Sequence, residues 1–423
     1  MRVLPINNLQ NFSKRNISKK NDLSTNVGQQ SDIRTKVYIN PASYSLAFKN
    51  LAPAATNFSK EIAEQPKVIK DILHNFFGIA NKVTNININL SNKEMKAVKA
   101  LHIVASGSSK NASEMAKKFM ERVTNLPVNI YSASEFMTSS PKINNKDLMI
   151  FVSQSGNATD TYEALKFAEK NKIKSIALTN NMHSKISRDA NFSINMHAGT
   201  EQAVAATKTV TSTVVNLWGI ALKLAEIKNV FHNDIVDIVR ELNRLPNLIE
   251  NMIKDDGDIK NIAKKYSDVK NIYILAKEPN VGAANEGALK LTETTQKRVI
   301  SGSSSEFMHG LFTSMQPDDL YIQIATGNKA DKAAKLAKEN LFEIKEKRHL
   351  NNVVVLKNSF DDLGKDIDTV SVPSALSDFQ PLLNTIRLQQ LTEAFTKELN
   401  INPDNGGGVL TKYRSNLTMS NKH

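Results

Sequence analysis

One segment of the chain is written twice. Residues 147–169 read DLMIFVSQSGNATDTYEALKFAE, and residues 319–339 read DLYIQIATGNKADKAAKLAKE. Each copy is a short apolar run, a turn of small polar residues, and then apolar residues at helical spacing. A uniformly apolar run of strand length that feeds a helix belongs in a parallel sheet covered on both faces. The neighbouring sequence keeps the same alternation. ALHIVASG reads as a strand before the helix NASEMAKKFMERV, and PVNIYSA, KSIALTN and FSINMHA read as further strands. The long apolar helix TSTVVNLWGIALKLAEI closes this unit, and NIYILAKE followed by GAANEGALKLTETTQ opens the second. The fold class is therefore α/β, with two tandem units, each a parallel sheet flanked by helices. NMIKDDGD, near residues 245–258, reads as the linker between them.

The two copies differ where the strand meets the helix. The first ends in SQSGN, with Ser153, Gln154 and Ser155; the second has Ala325 and Thr326 in a loop one residue shorter. A plain turn needs one Gly or Asn. Several donors gathered at a helix N-terminus point to an anion, and phosphate is the usual one. In open parallel sheets ligands bind beyond the carboxyl ends of the strands, which sets SQSGN beside ASGSS, residues 105–109. Gly107, Ser108 and Ser109 then face the same anion as Ser153, Gln154 and Ser155. Either loop alone reads as a turn; the two together, each ending a strand of one unit, read as a phosphate site. The second unit is expected to have lost that task.

The chain has 423 residues, 40% of them hydrophobic, which is enough for two cores. Its formal net charge is +13, but residues 1–60 hold nine Lys or Arg against Asp22 and Asp32. Over half of the excess is thus terminal, and no helix stacks Arg with aromatic residues, so no nucleic-acid partner is expected. Residues 1–56 show no sustained periodicity and read as a disordered basic tail; a transit peptide has the same composition. No apolar run looks long enough to span a bilayer, so no membrane is expected. There is no cysteine. That excludes disulfides, zinc–thiolate sites and thiol nucleophiles, and it fits a cytoplasmic setting.

Three stretches carry further chemistry. EGALKLTE holds Glu286, Lys290 and Glu293 at spacings that share one helix face. The small and apolar flanks make this a packed helix, where a carboxylate is costly unless paired or used. SSSEFMHG places His309 in a loop, and NPDNGGGVLTKY places Lys412 after three glycines. The eight histidines are scattered without ligand spacing, so no metal site is expected.

SQSGNATDT, AGTEQAVAATKTVTS, EGALKLTE, SEFMHG and NPDNGGGVLTK together resemble the sugar isomerase (SIS) domain family. The likeness is greatest to the isomerase half of the glutamine–fructose-6-phosphate aminotransferases. It runs from about residue 57 to the C-terminal region. It implies a leading helix and first SIS domain over 57–245, a second carrying the catalytic helix over 258–395, and a tail over 396–423 that closes over the site. It implies interconversion of fructose 6-phosphate and glucosamine 6-phosphate, with no cofactor, in a homodimer. By the same resemblance Ser109, Ser153, Gln154 and Ser155 hold phosphate beside Gly107 and Ser108. Val204 sits in the segment that lines the sugar pocket, and Glu286 is grouped with the substrate-binding residues. Glu293 is the base that moves a proton between C1 and C2, and Lys290 is the lysine beside it. His309 assists ring opening across the dimer interface, and Lys412 contacts the open-chain sugar.

The chain departs from the family pattern at Ala158, at Ala206, at the AKE turn and in the glycine run. The family's glutaminase domain, with its N-terminal cysteine, is not matched here. Nitrogen is therefore expected as free ammonia or from a separate glutaminase subunit, or the reaction runs in reverse as a deaminase. Plain isomerisation and amino-sugar-phosphate deglycation are further readings of the same site. A sugar-phosphate-binding regulatory protein is an alternative of another class, but it needs no base such as Glu293. A degenerate paralogue that binds without turnover is another.

Overall fold

The computed structural model describes residues 55–77, 91–139, 141–230, 235–327, 331–358 and 363–405. The predicted basic tail, apart from its last two residues, falls outside them, as does Lys412 with most of the predicted closing tail. In chain order, α1 (Asn57–Phe77) and α2 (Asn92–Ala97) precede β1 (Leu101–Ala105), α3 (Gly107–Thr124), β2 (Val128–Ser132) and α4 (Ala133–Ser139). Next come β3 (Leu148–Val152), α5 (Thr159–Lys170), β4 (Lys174–Thr179), α6 (Lys185–Asp189), β5 (Phe192–Asn195) and α7 (Lys208–Lys228). Helices α8 (Ile235–Lys254) and α9 (Gly257–Tyr266) lead to β6 (Asn271–Ala276), α10 (Val281–Thr295), β7 (Arg298–Ser303) and α11 (Ser304–Phe307). The chain then continues through β8 (Leu320–Ala325), α12 (Lys332–Arg348), β9 (Asn352–Lys357), β10 (Asp368–Ser371) and α13 (Gln380–Glu398).

Both sheets are five-stranded and parallel throughout, ordered β2-β1-β3-β4-β5 and β7-β6-β8-β9-β10. Numbered within its own half, each runs 2-1-3-4-5, so the duplication seen in sequence is a duplication of topology. In this order the crevice for a ligand opens where the winding reverses: between β1 and β3 in the first sheet, and between β6 and β8 in the second. Every residue of β1, β3 and β8 is buried. Covering both faces is what their uninterrupted apolar sequences require.

Two expectations need correction. Most of the stretch read as a linker is helix: α8 runs to Lys254 and α9 starts at Gly257. Ile238, Leu242, Leu245, Ile249 and Met252 form a buried stripe along α8, and the Arg387 guanidinium donates to the Met252 and Asp255 carbonyls at its end. Helix α7 is also long and apolar enough, by length and composition alone, to cross a membrane. Here it is a core helix, buried nearly end to end against α3 and α1. Its Trp218 meets Phe119 and Phe379 at ring-centroid distances of 5.8 and 4.6 Å.

Helix α10 forms the seam between the halves, packed on α3 on one side and on α13 on the other. Gly282 makes the close approach. A Cβ there would stand 2.9 Å from both the Asn111 carbonyl oxygen and the Met115 amide nitrogen, main-chain atoms that cannot swing aside. We expect Gly282→Val to lower stability by about 1–3 kcal/mol, the cost of overpacking a tight site. Gly257→Ala, where a Cβ meets nothing within 4 Å, serves as its control in thermal melts.

Candidate active site

The crevice between β1 and β3 is a cavity of about 330 Å³. Ser106, Ser108 and Ser109, after β1, line one wall, and Gln154, after β3, lines another. Glu201, Val204 and Ala206 form a third, continued by Thr209, Val210 and Thr213 from the first turns of α7. Gly107 lets the chain turn sharply from β1 into α3 by adopting φ +53°. Gly156 does the same after β3 at φ +65°, and it has no room for a side chain: a Cβ would lie 2.0 Å from Ser184 Oγ. Neither helix that starts here is capped by the side chain of its N-cap residue, Ser106 or Ala158. The Ser106 hydroxyl donates sideways to Asp160 Oδ2 at 3.1 Å, and the other oxygen of that carboxylate accepts from the Thr161 amide in the first turn of α5 at 2.8 Å. The start of α3 lines the cavity and has no side-chain cap, which suits an anion.

Of the predicted residues, Ser108, Ser109, Gln154 and Val204 line this cavity. Ser153 and Ser155 shape the loop instead. Ser153 Oγ accepts from the Gly156 amide at 3.1 Å, and Ser155 Oγ accepts from the Asn157 amide at 3.3 Å. At the second crevice, among the described residues, a side chain ties the two strand ends together. Asn384 of α13 donates to Asn280 Oδ1 at 2.8 Å and to Thr326 Oγ1 at 2.7 Å, bridging the ends that follow β6 and β8. The Asp331 carboxylate caps α12 by accepting from the Ala333 amide at 2.8 Å, so a fixed carboxylate already serves that helix end.

Glu286, Lys290 and Glu293 share one face of α10, as their spacing predicts. Lys290 is 1% exposed and Glu286 0%. Lys290 Nζ lies 2.6 Å from Glu293 Oε2 and 3.5 Å from Glu286 Oε1. Burial pushes the ammonium pKa down, but the carboxylates of Glu286 and Glu293, with Glu201 beyond them, more than offset this and hold it above the ordinary lysine value. Glu293 keeps 24% of its side chain exposed. Burial raises its carboxyl above the usual glutamate range, and the Lys290 cation pulls only partly the other way. Glu286 is buried and accepts from Asn111 Nδ2 at 2.8 Å; none of Glu286, Lys290 and Glu293 is among the residues that line the cavity.

Glu201 is the residue that sequence reasoning missed. It is buried, lines the cavity, and is electrostatically coupled to Lys290. Its carboxylate accepts from the Thr207 and Thr209 amides at 2.9 and 3.1 Å and from Thr209 Oγ1 at 2.6 Å. The wall it belongs to is braced by α1, where Glu61 accepts from the Gln202 and Ala203 amides and Glu64 pairs with Lys208. The first turn of α1 is in turn held by Asp404, whose carboxylate accepts from the Asn57 and Phe58 amides, each at 2.8 Å. His309 lies in an exposed turn after α11 and does not line the cavity of its own chain. A larger and more open cavity, about 580 Å³, is lined by Asp71, His74, Asn180 and His197 and contains none of the predicted site residues.

The fold, two parallel five-stranded sheets of one topology, is that of the SIS domain proteins. The SIS domain family profile matches residues 94–223 and 265–349, and the chain belongs to that family. Among its relatives, glutamine–fructose-6-phosphate aminotransferase [isomerizing] of Caldanaerobacter subterraneus subsp. tengcongensis is 31% identical over 336 residues, 78% of this chain and 54% of that protein. The enzyme of the same name from Clostridium tetani is 30% identical over 334 residues, with the same coverage. The chain thus spans about half the length of these curated relatives. Among solved structures, the C-terminal domain of glucosamine-fructose-6-phosphate aminotransferase from Francisella tularensis aligns with a TM-score of 0.75 at 24% identity, over 83% of this chain and 98% of that one. Glucosamine-6-phosphate deaminase of Thermotoga maritima aligns with a TM-score of 0.61 at 20% identity, over 84% and 99%. Both share the fold.

Proposed function

We propose that this chain interconverts fructose 6-phosphate plus ammonia with glucosamine 6-phosphate plus water. The observation that carries the reading is the cavity at the β1–β3 crevice, with the start of α3, which lacks a side-chain cap, at one wall and Glu201, coupled to Lys290, at another. The names of the relatives point to the same pair of sugars. In this reading Ser108, Ser109 and Gln154 hold the phosphate, with the Ser153 and Ser155 loop setting the helix end. Ammonia adds at C2 of the open-chain ketose and water leaves. Glu293 then takes a proton from C1 and returns it to C2, leaving the aldehyde at C1 and the amine on C2. A carboxyl raised by burial is a stronger base than an ordinary glutamate, which suits that transfer. Lys290 holds the charge that develops on the oxygen. His309 of a second copy assists ring opening, and Lys412 contacts the open-chain sugar. These 423 residues hold no thiol for glutamine hydrolysis, and in this reading the site takes its nitrogen as ammonia.

The test is incubation of the purified protein with fructose 6-phosphate plus ammonium, and separately with glucosamine 6-phosphate, following both sugars by chromatography. Interconversion is expected. No interconversion, with thermal stabilisation by both sugar phosphates retained, would move the chain to the sugar-phosphate-binding regulators. Ser109→Ala should raise KM for the phosphorylated sugar by about tenfold, the scale of one hydrogen bond to a charged group. The same loss with a non-phosphorylated sugar would remove Ser109 from the phosphate site.

A further inference from the structure

The seam between α3 and α10 carries two hydrogen bonds that run in opposite directions. Asn111 of α3 donates to Glu286 of α10 at 2.8 Å, and Asn285 of α10 donates to Glu114 of α3 at 3.2 Å. Each asparagine stands five residues beyond the N-cap of its helix, Ser106 for α3 and Asn280 for α10. They are thus equivalent positions of the two repeats, reaching across a local pseudo-twofold. Their acceptors are not equivalent. Glu114 is partly exposed and pairs with Lys110. Glu286 is fully buried, and apart from Asn111 its carboxylate meets the Lys290 ammonium.

We infer that Asn111 is a positioning residue, coupling the phosphate-loop helix of the first half to the base of the second through Glu286 and Lys290. The inference rests on the reading of Glu293 as that base. Asn111 lies in the second turn of the helix whose first residues, Ser108 and Ser109, line the cavity. By satisfying Glu286 Oε2, it leaves Lys290 free to sit closer to Glu293, at 2.6 Å, than to Glu286, at 3.5 Å. Without that donor, Glu286 is a buried carboxylate with one remaining partner, and the ammonium moves toward it. Glu293 then loses the cation that holds its titration down. The other charged groups on packed elements are already engaged: Glu201 by the start of α7, Glu114 by Lys110, and Glu393 of α13 by Lys397. Arg298, at the start of β7, is exposed.

The experiment compares Asn111→Leu with Asn285→Leu. The two changes are near-isosteric and delete the same kind of seam bond, and only the first touches the Lys290 cluster. The primary readout needs no substrate: the ¹³C carboxyl titration of Glu293 in labelled protein. In Asn111→Leu its midpoint should rise by about one pH unit, the scale of losing a nearby opposite charge. In Asn285→Leu it should stay in place. With the sugar phosphates, Asn111→Leu should lower kcat by about tenfold or more with KM little changed, as expected for a lost hydrogen bond to a charged group that acts through another residue. If Asn111→Leu folds poorly, Asn111→Ala gives the same comparison. An unmoved Glu293 midpoint in the Asn111 variants, or an equal shift in Asn285→Leu, overturns the inference. Absence of turnover by the parent protein would instead overturn the proposed reaction, and the titration would still judge Asn111.

Discussion

Glu293→Gln is expected to keep sugar-phosphate binding and to lower turnover by about 10²- to 10⁴-fold, the contribution of a positioned general base. The amide preserves the shape of the side chain and its contact with Lys290 but cannot accept a proton from C1. Binding is spared because Ser108, Ser109 and Gln154 lie in the other half of the molecule. The parent protein should also show a diagnostic pH dependence. Burial raises the Glu293 carboxyl above its ordinary value. The reactive carboxylate is therefore lost as pH falls through that raised value, and the acid limb of kcat/KM should lie above the range of a solvent-exposed glutamate. Glu293→Gln should flatten this limb in whatever activity remains. Turnover within a few-fold of the parent would remove Glu293 from the mechanism.

Lys290→Met should be the most destabilising single change at the site. It leaves Glu286 fully buried and without its cation, and removing one partner of a buried ion pair costs about 3–5 kcal/mol. Chemical denaturation should show the loss at neutral pH. The double variant Glu286→Gln with Lys290→Met should recover much of it, because the penalty lies in the stranded carboxylate and not in the missing lysine. Lys290→Arg is not expected to rescue activity. A planar guanidinium does not fit a pocket shaped for a compact ammonium shared by two carboxylates. If Lys290→Met proves as stable as the parent, the cluster is not the buried charged network described here.

The sequence disclosed the first sheet more fully than the second. In the first sheet β1, β3 and β4 stand out as apolar runs, and the edge strands β2 and β5 alternate apolar with polar residues. In the second, β6 and β8 stand out, β9 is an apolar run that sequence reasoning passed over, β7 mixes serine and glycine into its run, and the edge strand β10 has only four residues. Edge and half-buried strands carry less of the apolar signal. The α10 triad was legible because helical spacing is local. The strand-end serines were legible as a site, but not the division of labour within it. Ser108 and Ser109 face the cavity, while the hydroxyls of Ser153 and Ser155 fasten their own turn. Glu201 and Asn111 were not legible as site residues, since their roles arise only when α7 folds back over β1 and β3, or when α3 meets α10. Thr209 and Thr213, one helical turn apart and both on the cavity, were the local hint that this wall is polar by design.

The amide of Asn384, lodged between Asn280 and Thr326, has a consequence for how such a molecule can change. Two crevices of the same topology sit in one chain, and at the second an amide ties the strand ends together. That tie can serve as bedrock for the helix proposed to bear the base. On the proposed reading, substitutions around Val204, away from the Asn111 seam, can then retune which sugar is gripped with little effect on how its proton is moved. Changes behind Lys290 alter the chemistry and leave the grip alone. A lineage with this layout can trade one substrate for another through one half while the other half passes on the reaction.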